Sequence, residues 1–313
     1  MLLAVHYTQP PEWRWYILGY FVLAGLAGGA YTVGTLLRLW GRPWDEPAAR
    51  LCFLLALPLT ILCPVLLTID LGQPIRFWHM LLDTGVTGPG LNFKYWSPMS
   101  MGVWGLLGFG ICAALTFLEV VARDGRYGYP GSGLVARVLG GVLGRIVNVI
   151  GTILGLFVAG YTGVLLAVSN QPVWSDSYAL GGLFLASGLS GAAALAILCS
   201  PWRLGAEASE DALADADGFF ALLELGFLVV FLATLAFAGQ LTRVLGAPWF
   251  VLWAIVLLSL IAPLVGRAGS RLTVGPGGTA ALTGVRVSAA ATAALVLIGV
   301  VAMRAAVLWS AQG

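Results

Sequence analysis

The sequence predicts an all-α, polytopic membrane helix bundle with about eight transmembrane helices. It forms one integral domain over residues 1–313, with both termini outside. Three observations predict this. Of the 313 residues, 59% are hydrophobic and only 10% charged, against roughly a quarter charged in soluble domains. The apolar residues fall into runs, each near the ~20 residues that one bilayer crossing needs. Lysine and arginine are shared unevenly between the two sets of connecting loops, which orients the bundle.

The runs follow in order. The first covers 15–37; Glu12 and Arg14 precede it and it is long enough to span, so it reads as a span and not as a cleaved signal peptide. The turn sequence Gly-Arg-Pro-Trp-Asp-Glu-Pro (41–47) separates it from the second run, 51–69. The third, 96–118, lies between Thr-Gly-Pro-Gly (87–90) and Tyr-Pro-Gly-Ser-Gly (129–133). The fourth is 147–168. Arg145 interrupts the stretch before it, so an interfacial helix over 139–146 stays open. The fifth, 179–199, is joined to the sixth, 219–241, by an acidic connector from Glu207 to Asp217. The seventh, 248–265, is divided by Val-Gly-Pro-Gly-Gly (274–278) from the eighth, 287–309.

Eight spans put both termini on one side. Arg14, Arg76, Lys94 and Arg243 lie on that side, while the opposite loops carry Arg38, Arg42, Arg50, Arg123, Arg126, Arg137, Arg145, Arg203, Arg267, Arg271 and Arg286. Basic loops stay in the cytoplasm, so the termini are expected outside. The net charge of +2 is too small to imply nucleic acid. Cys52, Cys63, Cys112 and Cys199 are widely separated within or beside apolar runs, and no C-x-x-C occurs. The chain therefore offers no Fe–S, zinc or c-haem motif, and these cysteines read as packing residues. His6 and His79 are the only histidines, so a haem held between spans is not expected, and no metal site is assigned.

The candidate chemistry gathers on the outer side. Asp70 ends the second run where hydrocarbon gives way to headgroups, followed closely by Arg76, Trp78 and His79. Ionisable groups at such depth tend to mark function. Trp13, Trp15 and Tyr16 open the first span as an aromatic belt would. Tyr20 and Tyr161 lie deeper, each about 10 Å in from the outer end of its span. Two phenols there suit a quinone headgroup, or bond neighbouring helices. Glu224 lies within the sixth span and Glu119 ends the third on the cytoplasmic side; they form a candidate proton path, or Glu224 is a neutral carboxyl bonded across helices and Glu119 an ordinary interfacial residue. Arg304 in the last span either pairs with an acid or snorkels outward.

Four segments carry a resemblance. They are Phe-Val-Leu-Ala-Gly-Leu-Ala-Gly-Gly (21–29), Asp-Leu-Gly-Gln-Pro-Ile-Arg-Phe-Trp-His (70–79), Tyr-Trp-Ser-Pro-Met-Ser-Met-Gly-Val-Trp (95–104), and Tyr161 with Val-Ser-Asn-Gln-Pro-Val-Trp (168–174). In this order they resemble the NrfD-like membrane subunits, the quinone-reacting anchors of polysulfide reductase and related molybdenum enzymes. The likeness is specific over 12–176 and architectural beyond.

The resemblance implies a helix bundle without haem or Fe–S cluster of its own in a bacterial or archaeal inner membrane. It also implies a menaquinone or ubiquinone near the outer face. An Fe–S ferredoxin-like partner would pass electrons to or from a catalytic subunit of the molybdopterin type. In the reading that follows from it, proton exchange belongs to Asp70, steadied by Arg76 unless Arg76 meets a partner carboxylate, hydrogen bonding of the quinone to Tyr20 and Tyr161 with Tyr16 beside them, and the outer rim to Trp78 and His79. Tyr20 stands where the family pattern has His, and Ile17 where it has Asn. A secondary transporter and a structural anchor without redox role are the competing classes; the sequence has no internal repeat of the kind many transporters carry.

Overall fold

The structure, a computed structural model, describes residues 11–84, 90–125, 132–272 and 289–312. Ten α-helices occur among them: α1 (Trp15–Trp40), α2 (Glu46–Asp70), α3 (Pro98–Asp124), α4 (Ser132–Leu139), α5 (Val142–Ala167), α6 (Leu180–Cys199), α7 (Glu210–Phe237), α8 (Leu241–Leu245), α9 (Phe250–Leu272) and α10 (Ala289–Ser310). Seven are long and apolar enough to cross a membrane, and α9 adds a shorter apolar stretch, Phe250–Val265. These eight coincide with the eight apolar runs. The expected loops at 87–89, 129–131 and 274–278 lie outside the described residues, as do Arg126 and Arg286.

Several helices extend beyond their apolar runs, because a helix continues through the headgroup region where polar side chains are tolerated. The acidic connector is itself helical: a 3₁₀ turn (Ala206–Ser209) leads into α7, whose first two turns hold Glu210, Asp211, Asp215 and Asp217. Carboxylates suit the N-terminal turn, where free backbone N–H groups carry partial positive charge. Around 139–146 the chain forms the short α4, breaks at Gly140–Gly141, and starts α5 at Val142. Arg145 thus falls in the first turn of a spanning helix.

The seven spanning helices and α9 make two four-helix groups. In one, α1 packs on α2 and α5, and α3 lies against both of those; in the other, α6, α7, α9 and α10 pack in neighbouring pairs. α1 and α6 run through the middle, and α1 also meets α6 and α10 across the seam. Their crossing depends on small residues. A Cβ at Gly28 would run into the Gly155 carbonyl of α5, and one at Gly29 into the Gly188 carbonyl of α6. Lipid supplies no hydrophobic drive between helices, so this close backbone approach is what holds them. Large apolar side chains left exposed on α2, α3, α5, α7 and α9, such as Ile61, Val65, Ile111, Ile153, Val229 and Ile261, face outward as lipid-facing side chains do.

The bundle has two chemically different ends. At one, the start of α1 meets the end of α10: the Trp13 N–H donates to Gln312 Oε1 (3.0 Å), and the Trp13 ring stacks on Trp174 at 5.2 Å. The Trp174 indole N–H in turn donates to the Val307 carbonyl. This is the aromatic end. At the other, a network of ion pairs ties the helices: Arg38 bonds Glu119 and Glu46, Arg50 bonds Glu46 and Asp124, and Arg203 bonds Asp124. Four of the arginines counted for orientation therefore have acidic partners at the same end, since Arg123 also pairs with Glu119. Orientation follows the count of basic residues and not net charge, so these pairs leave that argument standing.

Candidate functional site

Near the aromatic end, α1, α2 and α5 bring three polar side chains to one depth. Tyr20 projects from α1 and Tyr161 from α5, with 4% and 8% of their surfaces exposed. Tyr20 lies within electrostatic range of Tyr161 and of Cys63 on α2. The next turn of the α1–α2 contact is closed by Leu66, which sits against Gly19. Tyr16 is one turn outward from Tyr20 and therefore on the same face of α1; its ring packs on Trp15 at 4.0 Å.

The two phenols are held differently. The Tyr161 hydroxyl donates to the Pro98 carbonyl at the start of α3 (2.7 Å). Its ring lies over Gly102, where any Cβ would overlap it, and stacks on Phe157 at 5.5 Å. Phe157 in turn lies over Gly105. Two glycines one turn apart on α3 thus seat two aromatic rings one turn apart on α5. Tyr20 is as deeply buried, yet among the described residues its hydroxyl has no hydrogen-bond partner. That oxygen is not one of the fully enclosed polar atoms left without a partner, so it keeps an opening through which a ligand or water can reach it.

The loop between α2 and α3 carries a second feature. Leu71, Gly72, Gln73, Arg76, His79, Met80 and Asn92 line an open cavity of about 520 Å³. Asn92 organises it: its side-chain amide donates to the His79 carbonyl (2.9 Å), while its own carbonyl accepts from Ser100 Oγ and the Trp104 indole. Trp78 and His79 meet edge to face at 3.9 Å. Leu71 is eight residues beyond Cys63, so the cavity starts about 12 Å outward along α2 from the phenols. Asp70 closes α2 in an exposed position and makes no ion pair with Arg76. Arg76, His79 and Trp78 therefore come together, Tyr20 and Tyr161 come together, and Asp70 stands apart at the surface.

The deeper charges fall into two clusters. Glu119 is 2% exposed, with one oxygen hydrogen-bonded by Arg38 (2.9 Å) and the other in an ion pair with Arg123 (2.6 Å). Nearby, Tyr31 shares a hydrogen bond with Thr116 (2.7 Å), and its ring packs on Phe53 and Phe109. Glu224 on α7 is buried within electrostatic range of Arg304 and Asp217, and Asp217 accepts from Ser190 Oγ (2.6 Å). Arg304 does not snorkel. It is fully buried and donates to the carbonyls of Phe21, Phe184 and Val300 and to Ser187 Oγ.

Three of these residues carried no functional reading in the sequence. Cys63 read as packing, although it lies about as far from the outer end of its span as the two tyrosines do, and that match of depth was the available signal. Asn92 and Gly102 gave none, because their roles depend on which elements face them.

With the geometry in view, comparison places the chain among known proteins. A family model described as "Polysulphide reductase, NrfD" matches residues 5–312. The C subunit of the polysulfide reductase of Wolinella succinogenes is 29% identical over 188 residues, 57% of this chain and 55% of that protein. Protein NrfD of Escherichia coli is 26% identical over 200 residues, 61% of this chain and 60% of that protein. Each match spans little more than half of the relative's own length. The family match runs through all seven spanning helices, the shorter apolar stretch of α9 and both features at the aromatic end, and the chain belongs to the NrfD, polysulphide reductase family of multi-pass membrane proteins.

Proposed function

We propose that this chain is the quinone-reactive membrane subunit of a respiratory oxidoreductase in a bacterial or archaeal cell membrane. The observation that carries the proposal is a pair of buried phenols within electrostatic range of each other near the aromatic end, one of them bonding no other described residue. A quinone-type headgroup offers ring oxygens that pair with such hydroxyls and an apolar ring and tail for the surrounding helices. The names of the two relatives support the oxidoreductase setting. The arginine count supports placing the aromatic end, with both termini, on the outer side of the membrane.

In this reading, conversion between quinol and quinone moves two electrons and two protons. The electrons pass between the quinone and an Fe–S ferredoxin-like subunit docked on the outer side, which serves a catalytic subunit of the molybdopterin type. The redox chemistry belongs to the quinone, and the chain positions it and manages protons. Tyr20 and Tyr161 bind the ring oxygens from α1 and α5, and Tyr16 extends that face outward. Asp70, exposed at the membrane edge, exchanges protons with the outer water, while Arg76, Trp78 and His79 shape the outer rim. Glu224 and Glu119 are the carboxylates available to a proton route from the other face.

Isolation of the protein from its native membranes tests the reading. Mass spectrometry of the copurifying proteins should find an Fe–S subunit, and the preparation should transfer electrons from a short-chain quinol to an artificial acceptor. A stable preparation with neither property would reject it.

A further inference from the structure

The two phenols differ in what they can still offer a ligand. A tyrosine hydroxyl has one proton to donate and lone pairs to accept with. The Tyr161 proton is already directed at the Pro98 carbonyl at 2.7 Å, and Gly102 and the Phe157 ring fix the side chain in that pose. The Tyr20 hydroxyl is uncommitted among the described residues. Quinone oxygens only accept hydrogen bonds, whereas quinol oxygens also donate. Turning the Tyr161 proton toward a quinone would break one hydrogen bond to make another, with little net gain. A quinol can donate to Tyr161 while the Pro98 bond stays in place.

We propose that Tyr161 acts toward the ligand as an acceptor only, so that the site binds the reduced, hydroxyl-bearing quinol more tightly than the quinone. This rests on the quinone reading of the site. Tyr20 serves both forms, and Tyr161 supplies the difference between them. Selectivity thus originates at the α3–α5 contact, in the carbonyl of Pro98 and the missing side chain of Gly102.

The test is anaerobic calorimetric titration of the purified full-length protein with decylubiquinone and with decylubiquinol. Wild type should bind the quinol about two- to tenfold more tightly, the worth of one neutral hydrogen bond. Tyr161→Phe should bring the ratio of the two affinities to about one, chiefly by weakening quinol binding. Gly102→Ala keeps the hydroxyl but intrudes on the ring, and should reduce the ratio in the same direction. Tyr20→Phe should weaken both ligands. Saturable binding of both forms with equal affinity in wild type, or a ratio unchanged in Tyr161→Phe, overturns the selectivity while leaving the quinone reading intact. Absence of saturable binding by either form overturns both. The wild-type comparison needs no variant, so it decides even if a substituted protein fails to fold.

Discussion

At the residue scale, Tyr20 and Tyr161 are the same side chain in two energetic situations, and substitution separates them. Tyr20→Phe removes a hydroxyl that bonds no described residue and whose oxygen is not fully enclosed, so no hydrogen bond already made is lost with it. The ligand-free variant should be as stable as wild type or more so in thermal unfolding. Tyr161→Phe removes a bond that is made, and should lose about 0.5–1.5 kcal/mol. Stabilities in the reverse order would contradict the hydroxyl assignments. Asp70→Asn keeps the side chain's size but removes its titration. If Asp70 exchanges the proton, turnover per assembled complex should fall by about 10²-fold or more, while ligand affinity changes little; near-wild-type turnover would leave Asp70 no such role. The depth of Tyr20, Tyr161 and Glu224 was legible in the sequence, because counting from a span's end gives depth directly. Facing was not. Arg304 was legible as an intramembrane charge, but its partners are carbonyls of α1 and α6 far away in the sequence, and no local pattern encodes them.

At the scale of elements, the glycines of α1 and the arginine of α10 are complementary. A Cβ at Gly25 would come within 2.5 Å of Arg304 Nη2, so the guanidinium occupies the space that this glycine leaves. From there it bonds the Phe21 carbonyl of α1 and the Phe184 carbonyl of α6, close to Glu224. Arg304→Ala would remove these bonds and leave Glu224 without its nearby positive charge. Breaking a buried charged contact typically costs about 3–5 kcal/mol, and assembled protein in the membrane should fall sharply. Wild-type yield and melting behaviour in Arg304→Ala would show that the contact is dispensable. The Gly-rich 21–29 segment was legible as a family-like motif, and its physical meaning emerged only with Gly155 and Gly188 opposite it. Helix boundaries were less legible than helix existence. Hydropathy marks the hydrocarbon core, whereas α7 begins at Glu210, well before its apolar run.

At the scale of the whole molecule, polarity gathers at the two ends and in the buried cluster of Arg304, Glu224 and Asp217, and small or aromatic side chains fill much of the space between. Along α1, from Tyr20 to Tyr31, about 16 Å, the buried residues are Phe21, Ala24, Gly25, Leu26, Ala27, Gly28, Gly29 and Ala30. The outer assignment of the aromatic end rests on the basic residues, so a reporter fused after Gly313 should be active only when exported. Activity of a cytoplasmic reporter at that position would reverse the orientation. The central claim is that the unpartnered Tyr20 hydroxyl belongs to a quinone-type ligand. Equilibrium binding of decylubiquinol to purified wild type and Tyr20→Phe tests it most directly. The account predicts saturable binding that weakens about two- to tenfold in the variant, with no loss of thermal stability. Equal affinity in the two proteins, or no saturable binding in either, would contradict it.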